Sequence, residues 1–330
     1  MPDALPIADL ADRVRGGDRR ALAQAITLVE STRADHREQA EALLATLLPH
    51  SGNGVRVGIS GVPGVGKSTF IEAFGLHVID RGHKVAVLAI DPTSQRTGGS
   101  ILGDKTRMEL LSRDARAFIR PSPAGSTLGG VARRTREAML LVEAAGFDVV
   151  IVETVGVGQS ETAVADMVDL FLLLLPPAGG DELQGIKKGI VELADIIVVN
   201  KADGDLANAA RHAEAEYRHA LALLRPVNSN WSVPVLSCSA LNKAGIDGIW
   251  ERIGDYRRIL GADGSINCRR ADQARAWMWN EIRENLIAAF QRDPAVRTEL
   301  PGLEQATAAG SVTPGAAARR LLHLFRQAGR

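Results

Sequence analysis

The stretch Gly61-Val62-Pro63-Gly64-Val65-Gly66-Lys67-Ser68-Thr69 combines the residue types that surround phosphate oxygens, in the GxxxxGK[ST] spacing. Its glycines let the backbone curl so that several N–H groups point inward at an anion. Lys67 reaches the outer phosphates, and the Ser68 hydroxyl is placed to bind Mg²⁺. A phosphate-bound Mg²⁺ calls for acids at neighbouring strand ends. Glu153 closes the run "FDVVIVETVG" and Asp91 closes "KVAVLAIDPTS", while Asp104 lies in the glycine-rich "GGSILGDKTRM". Ser68, Asp91, Asp104 and Glu153 are therefore the candidate metal ligands. Gly156 stands where a backbone N–H could meet a γ-phosphate, so Lys67, Glu153 and Gly156 are the candidate catalytic positions. Gln159 follows in the same segment, either as a side chain that positions water or as an exposed loop residue.

A second cluster bears on the base. "IIVVNKAD" places Asn200, Lys201 and Asp203 directly after an apolar run. A carboxylate there can accept two hydrogen bonds from the N1–H and N2–H₂ edge of guanine, which adenine lacks. Asn200 would meet the other face of the base and the Lys201 stem would pack along it. Farther on, "SCSALNKAG" offers Ser239, Ala240 and Leu241 to close the base pocket.

Phosphate loops work only at the end of a strand and the start of a helix, and the flanking pattern supplies both. Apolar runs rich in β-branched residues occur at 55–60, 84–90, 147–153, 170–175, 196–200 and 233–237, mostly without alternation, as in strands buried on both faces. Helical segments between them, including 67–81 and 131–145, predict an α/β fold with a mostly parallel sheet flanked by helices. An N-terminal helical segment covers 1–50, the nucleotide-binding domain 51–262, and a C-terminal helical arm 263–330. In the arm Ala274, Met278, Ile282, Leu286 and Phe290 form an apolar stripe beside Trp277, suited to packing on its own domain or on a second copy. "ELPGLEQATAAGSVTPG" reads as a turn-rich connector, after which Thr313 and Pro314 open a last helix.

Composition narrows the partners. The 330 residues carry 39 basic and 39 acidic side chains, which gives no electrostatic reason to expect nucleic acid or an anionic membrane. The apolar run ending at Leu175 is far short of the roughly 20 residues that cross a bilayer. Two isolated cysteines, Cys238 and Cys268, and seven scattered histidines argue against a disulfide framework, a zinc site or a metal-storage tract. An N-terminus with early acids and no long apolar core reads as cytoplasmic rather than secreted or imported.

"PPAGGDELQGIKKGI" begins where the run 170–175 ends, so in a parallel sheet it leaves on the same edge as the phosphate loop. Gly179 and Gly180 let it move, and Asp181, Glu182, Gln184, Lys187 and Lys188 can exchange contacts between nucleotide states or with a partner. It is read as a switch and coupling element.

Together, "GVPGVGKST", "AIDPTS", "TGGSILGDKTRM", "IVETVGVGQSE", "PPAGGDELQGIKKGI", "VVNKAD" and the leading "GDRRALAQAITLVES" make this chain closely similar to the MeaB/MMAA/ArgK family of P-loop GTPases. The likeness spans nearly the whole chain. It implies a homodimeric, Mg²⁺-dependent GTPase that accompanies adenosylcobalamin-dependent methylmalonyl-CoA mutase or a sister mutase, gates cofactor loading and protects that enzyme. Slow intrinsic GTP hydrolysis, stimulated by the partner, goes with this. The Asp-x-His-x-x-Gly string of cobalamin-binding domains is missing, in keeping with a protein that has no cobalamin site of its own. The rival readings are a metallochaperone GTPase for metal insertion and a kinase or ATPase linked to amino-acid transport.

Overall fold

The computed structural model describes residues 6–31, 33–90, 108–122, 128–154, 160–177, 188–222 and 230–328. Seven strands, β1 Val55–Gly61, β2 Val85–Ile90, β3 Ala117–Ser122, β4 Val149–Thr154, β5 Leu170–Leu175, β6 Ile196–Val199 and β7 Val235–Ser237, form one sheet in the order β3-β2-β4-β1-β5-β6-β7. Every pairing is parallel. The continuous apolar runs have this cause: β1, β2, β4, β5 and β6 are buried at every residue, so neither face needs polar side chains.

The helices are α1 Ile7–Arg15, α2 Arg19–Glu30, α3 Ala34–Leu47, α4 Lys67–Asp80, α5 Glu109–Arg113, α6 Leu128–Ala144, α7 Ser160–Ala165, α8 Lys188–Leu193, α9 Ala207–Ala222, α10 Ile246–Ala262, α11 Ser265–Arg292, α12 Pro294–Ala308 and α13 Pro314–Ala328. The helical N-terminal pattern is thus broken twice. Asp18 caps α2 by accepting from the N–H groups of Arg20 and Ala21. Helices α2 and α3 pack on α6, and Arg120 of β3 reaches Glu30 of α2 at 2.5 Å. No helix among the described residues is long and apolar enough to cross a membrane.

Strand β3 is absent from the sequence reading. Its "AFIRPS" has an arginine and a proline where a buried run would be apolar. Pro121 lacks an N–H, which an edge strand tolerates because one side has no ladder, and β3 is the edge. Strand β7 is likewise shorter than its apolar run, at Val235–Ser237.

The chain divides into two compact units, Met1–Arg270 and Ala271–Arg330. In the second, the connector expected over "ELPGLEQATAAGSVTPG" is instead largely helix α12, which contains Pro301. Asp293 caps it by accepting from Val296 N–H at 3.0 Å, and Pro294 occupies the first turn, where a missing N–H costs nothing. Val296 and Leu303 of α12 are buried with Ala317 and Leu321 of α13, and this packing outweighs the bond lost at Pro301. Thr313 Oγ1 accepts from Ala316 N–H at 3.3 Å at the start of α13. Of the apolar stripe on α11, Phe290 stacks edge-on against Phe325, while Met278, Ile282 and Leu286 are exposed.

Candidate functional site

The connection from β4 to β5 crosses β1, so the strand order changes direction at β1 and opens a crevice at its carboxyl end. The loop 61–66 fills that crevice and leads into α4. Gly61 touches β5 so closely that a Cβ would lie 2.5 Å from the Leu174 carbonyl oxygen. Gly66 has φ 93°, and a Cβ there would meet Asn200 Nδ2 at 2.9 Å. Both positions therefore require glycine for reasons the structure makes explicit.

Lys67 is half-buried at the start of α4, and its Nζ donates to Gly61 O at 2.8 Å and to Val62 O at 3.4 Å. The ammonium thus lies back along the loop it opens. Burial holds its pKa below the usual lysine range, opposed by the carboxylates of Glu153 and Glu161. Glu153, 5% exposed, is the penultimate residue of β4, in register with Ile59 of β1 and Ala89 of β2. Beside it Thr154 Oγ1 donates to Ser60 Oγ at 2.9 Å, tying β4 to β1 beneath the loop.

Asn200, 1% exposed, is the strut between the two halves of the site. Its Nδ2 donates to Val65 O at 2.9 Å, and its Oδ1 accepts from Ala240 N–H at 3.1 Å. Lys201, with φ 61°, sends Nζ to Gly64 O at 2.7 Å. A non-glycine residue in the left-handed region marks a place where surrounding structure overrides local preference. Half-buried Asp203 accepts a hydrogen bond from Ser239 Oγ, which in turn accepts from Asn242 N–H at 3.1 Å. Burial pushes the Cys238 thiol up to about 12, so it is a packed, unreactive residue.

The structure thus gathers Lys67, Ser68, Glu153, Asn200, Lys201, Asp203, Ser239 and Ala240 on the carboxyl edge of one sheet. Thr69 is exposed on the first turn of α4 and Leu241 is 77% exposed. Asp91, Asp104, Gly156, Gln159, Asp181, Glu182, Gln184 and Lys187 lie outside the described residues; Lys188 opens α8. Sequence reasoning overlooked Asn200 as a strut, the Ser60–Thr154 tie and buried Glu161. Only Glu161 left a signal, an acid in the segment "VGVGQSE".

Among the described residues no three His, Cys, Asp or Glu side chains cluster as a metal-binding group. Of the candidate Mg²⁺ ligands, Ser68 and Glu153 fall within the described residues.

The family model for "Methylmalonyl Co-A mutase-associated GTPase MeaB" matches residues 22–295. This chain belongs to the MeaB family. It is 59% identical to a putative GTPase of Caulobacter vibrioides over 98% of this chain and 99% of the relative. It is 50% identical to the mitochondrial methylmalonic aciduria type A homolog of Mus musculus, over 94% of this chain and 77% of that one. GTPase ArgK of Escherichia coli is 52% identical, with 87% of each covered. Among solved structures, one described as an LAO/AO transport system kinase superposes with TM-score 0.78 at 40% identity, covering 99% of both chains. This member of the MeaB family is accordingly a P-loop GTPase, binding GTP and GDP and hydrolysing GTP.

The expected contact of Asp203 with the base can be tested directly. In Asp203→Asn the amide presents a donor where guanine also donates, so GTP affinity is expected to fall by about 10²-fold or more while xanthosine triphosphate gains. Competition of labelled GTP by the two nucleotides measures this. Unchanged preference would take Asp203 away from the base.

Proposed function

We propose that this GTPase accompanies a cobalamin-dependent mutase, with methylmalonyl-CoA mutase as the first candidate, and makes cofactor loading depend on its nucleotide state. The carrying observation is the family match, whose description names that mutase, joined to a site in which Asn200 links the phosphate loop directly to the base-binding loop. Anything that moves one loop is felt by the other through that amide.

In this reading the phosphate-loop N–H groups hold the β- and γ-phosphates, and Lys67 leaves Gly61 O to reach the outer oxygens. Asp203 and Ser239 select guanine. Mg²⁺, when bound through Ser68 and Glu153, with Asp91 and Asp104 as the further acids, supplies charge neutralisation at the phosphates. Water attacks the γ-phosphate in line, and Lys67 stabilises the charge that builds on it. Gly156 and Gln159 belong to the segment that follows Glu153, where an added γ-phosphate is sensed. The stretch Asp181 to Lys188, which follows β5 in the sequence, carries the signal to the partner.

Residues 1–50, 51–262 and 263–330 are assigned to the helical lead, the G domain and a dimerisation arm. Exposed Met278, Ile282 and Leu286 on α11 are what supports a homodimer in solution.

The deciding experiment is a pull-down with candidate mutases in GDP and in a non-hydrolysable GTP analogue, together with GTP turnover with and without mutase. Nucleotide-dependent capture and faster turnover are expected. No capture in either state, with unchanged turnover, would leave a GTPase without this client.

A further inference from the structure

Two hydroxyls lie inside the sheet, where the apolar pattern of its central strands calls for none. Ser60 is 1% exposed and Thr154 is fully buried, and Thr154 Oγ1 donates to Ser60 Oγ at 2.9 Å. The register around them explains what this bond spans. The pairing of β1 with β4 runs from Val55–Val149 to Ile59–Glu153. One residue further, Ser60 is paired with Leu173 of β5 and Thr154 with Ile90 of β2. Beyond Ile59 and Glu153 each strand keeps only its outer partner, and the side-chain bond takes over where the ladder stops. Gly61 of the phosphate loop directly follows Ser60, and Glu153 directly precedes Thr154, so the bond joins the stem of the loop to the acid on β4. Side chains alternate along a strand, which puts Ser60 on the face of Gly58, where Val164 and Val168 close in. In such apolar surroundings a hydrogen bond is strong and directional, yet it adds little net stability over an apolar pair of the same shape. Its distinctive contribution is a fixed distance.

We propose that Ser60 and Thr154 are positioning residues for GTP hydrolysis: their hydroxyl pair holds the carboxyl end of β4, and Glu153 with it, at a set distance from the phosphate loop. The proposal rests on the assignment of Glu153 to the reacting phosphates. An apolar pair would keep the strands packed but let their ends slide, at a centre where small displacements of reacting groups are costly. Binding of GDP draws on the phosphate loop and the guanine pocket. The hydroxyl pair therefore acts on turnover and on the recognition of a third phosphate, and not on GDP affinity.

The test is the double variant Ser60→Ala/Thr154→Val, which removes both hydroxyls and so strands neither partner. Its kcat for GTP is expected to fall about tenfold, the effect of a small displacement within a reacting centre. Affinity for guanylyl imidodiphosphate relative to GDP should fall as well, while N-methylanthraniloyl-GDP binding and the unfolding temperature stay near wild type. Thr154→Ser keeps the hydroxyl and should keep turnover near wild type. A double variant that hydrolyses GTP as the wild type does overturns the proposal. Equal weakening of GDP and the triphosphate analogue with kcat unchanged overturns it too, since the pair would then prop the loop alone. Thr154→Ser as slow as the double variant takes the role away from the hydroxyl. Should the double variant not fold, Ser60→Ala is read by the same measurements; if neither folds, the pair is a stability element and the proposal falls. Wild-type turnover in Glu153→Gln would fault the assignment of Glu153 itself. Slowed turnover in Glu153→Gln beside unaltered turnover in the double variant faults only the role given to the hydroxyl pair.

Discussion

Lys67→Ala is expected to abolish measurable turnover, lowering GTP hydrolysis by about 10²- to 10³-fold, the loss that follows removal of one preorganised charge donor from a transition state. The reasoning begins with where the side chain is. Lys67 is half-buried, its Nζ already donates to the loop carbonyls of Gly61 and Val62, and Glu153 and Glu161 oppose the effect of burial on its charge. Such an ammonium needs little reorganisation to meet a phosphate: it exchanges two carbonyl contacts for charged oxygens. Alanine removes a cation from the phosphate loop, so binding of a polyanion weakens too. Single-turnover GTP hydrolysis, with circular dichroism to verify the fold, checks this. A variant that retains a tenth of wild-type turnover would remove Lys67 from the reacting phosphates.

Arg270→Ala is expected to be the most damaging single change to stability, about 3 to 5 kcal/mol, because it strands a buried charge. Asp169 stands just before β5 with its side chain 2% exposed. Arg270 grips it with Nε to Oδ1 at 2.7 Å and Nη2 to Oδ2 at 2.6 Å, and also donates to the carbonyls of Gly52 and Gly54. The same carboxylate accepts from Arg56 N–H at 2.9 Å. Next to this pair, Arg56 and Glu143 form a second buried bidentate pair, at 2.8 Å for each bond, and Glu143 accepts from Gly52 N–H. Arg269 bonds Asp195 and Tyr256. The amino edge of the sheet is therefore closed by charge pairs that depend on one another. Urea unfolding should show a lower midpoint. A shift below 1 kcal/mol would mean that water replaces the guanidinium. Because this network lies on the edge opposite the nucleotide, GTP affinity measured well below the unfolding temperature should hold within a few-fold.

Some of this molecule is written in local sequence. The phosphate loop is legible because a backbone that curls around an anion needs glycines at fixed offsets, and the buried parallel strands because two covered faces leave no place for polar side chains. The family likeness is legible for the same reason, since most of its strings begin in or directly after a strand, although the leading one lies on α2. Helix α12 and strand β3 were not legible. "ELPGLE" and "FIRPS" carry prolines that argue locally against regular structure, and only packing on α13 and an edge position make them acceptable.

At the site, residue types pointed to Lys67, Ser68, Glu153, Asn200 and Asp203 before any coordinates. Distance did the rest. That Asn200 joins Val65 to Ala240 and that Lys201 crosses to Gly64 depend on segments far apart in the chain meeting at one sheet edge. Local sequence determined which groups could bind phosphate and guanine, because those chemistries need particular atoms. Tertiary structure alone decided how those groups are held and coupled, because burial and long-range pairing are properties of the folded sheet and not of any short stretch.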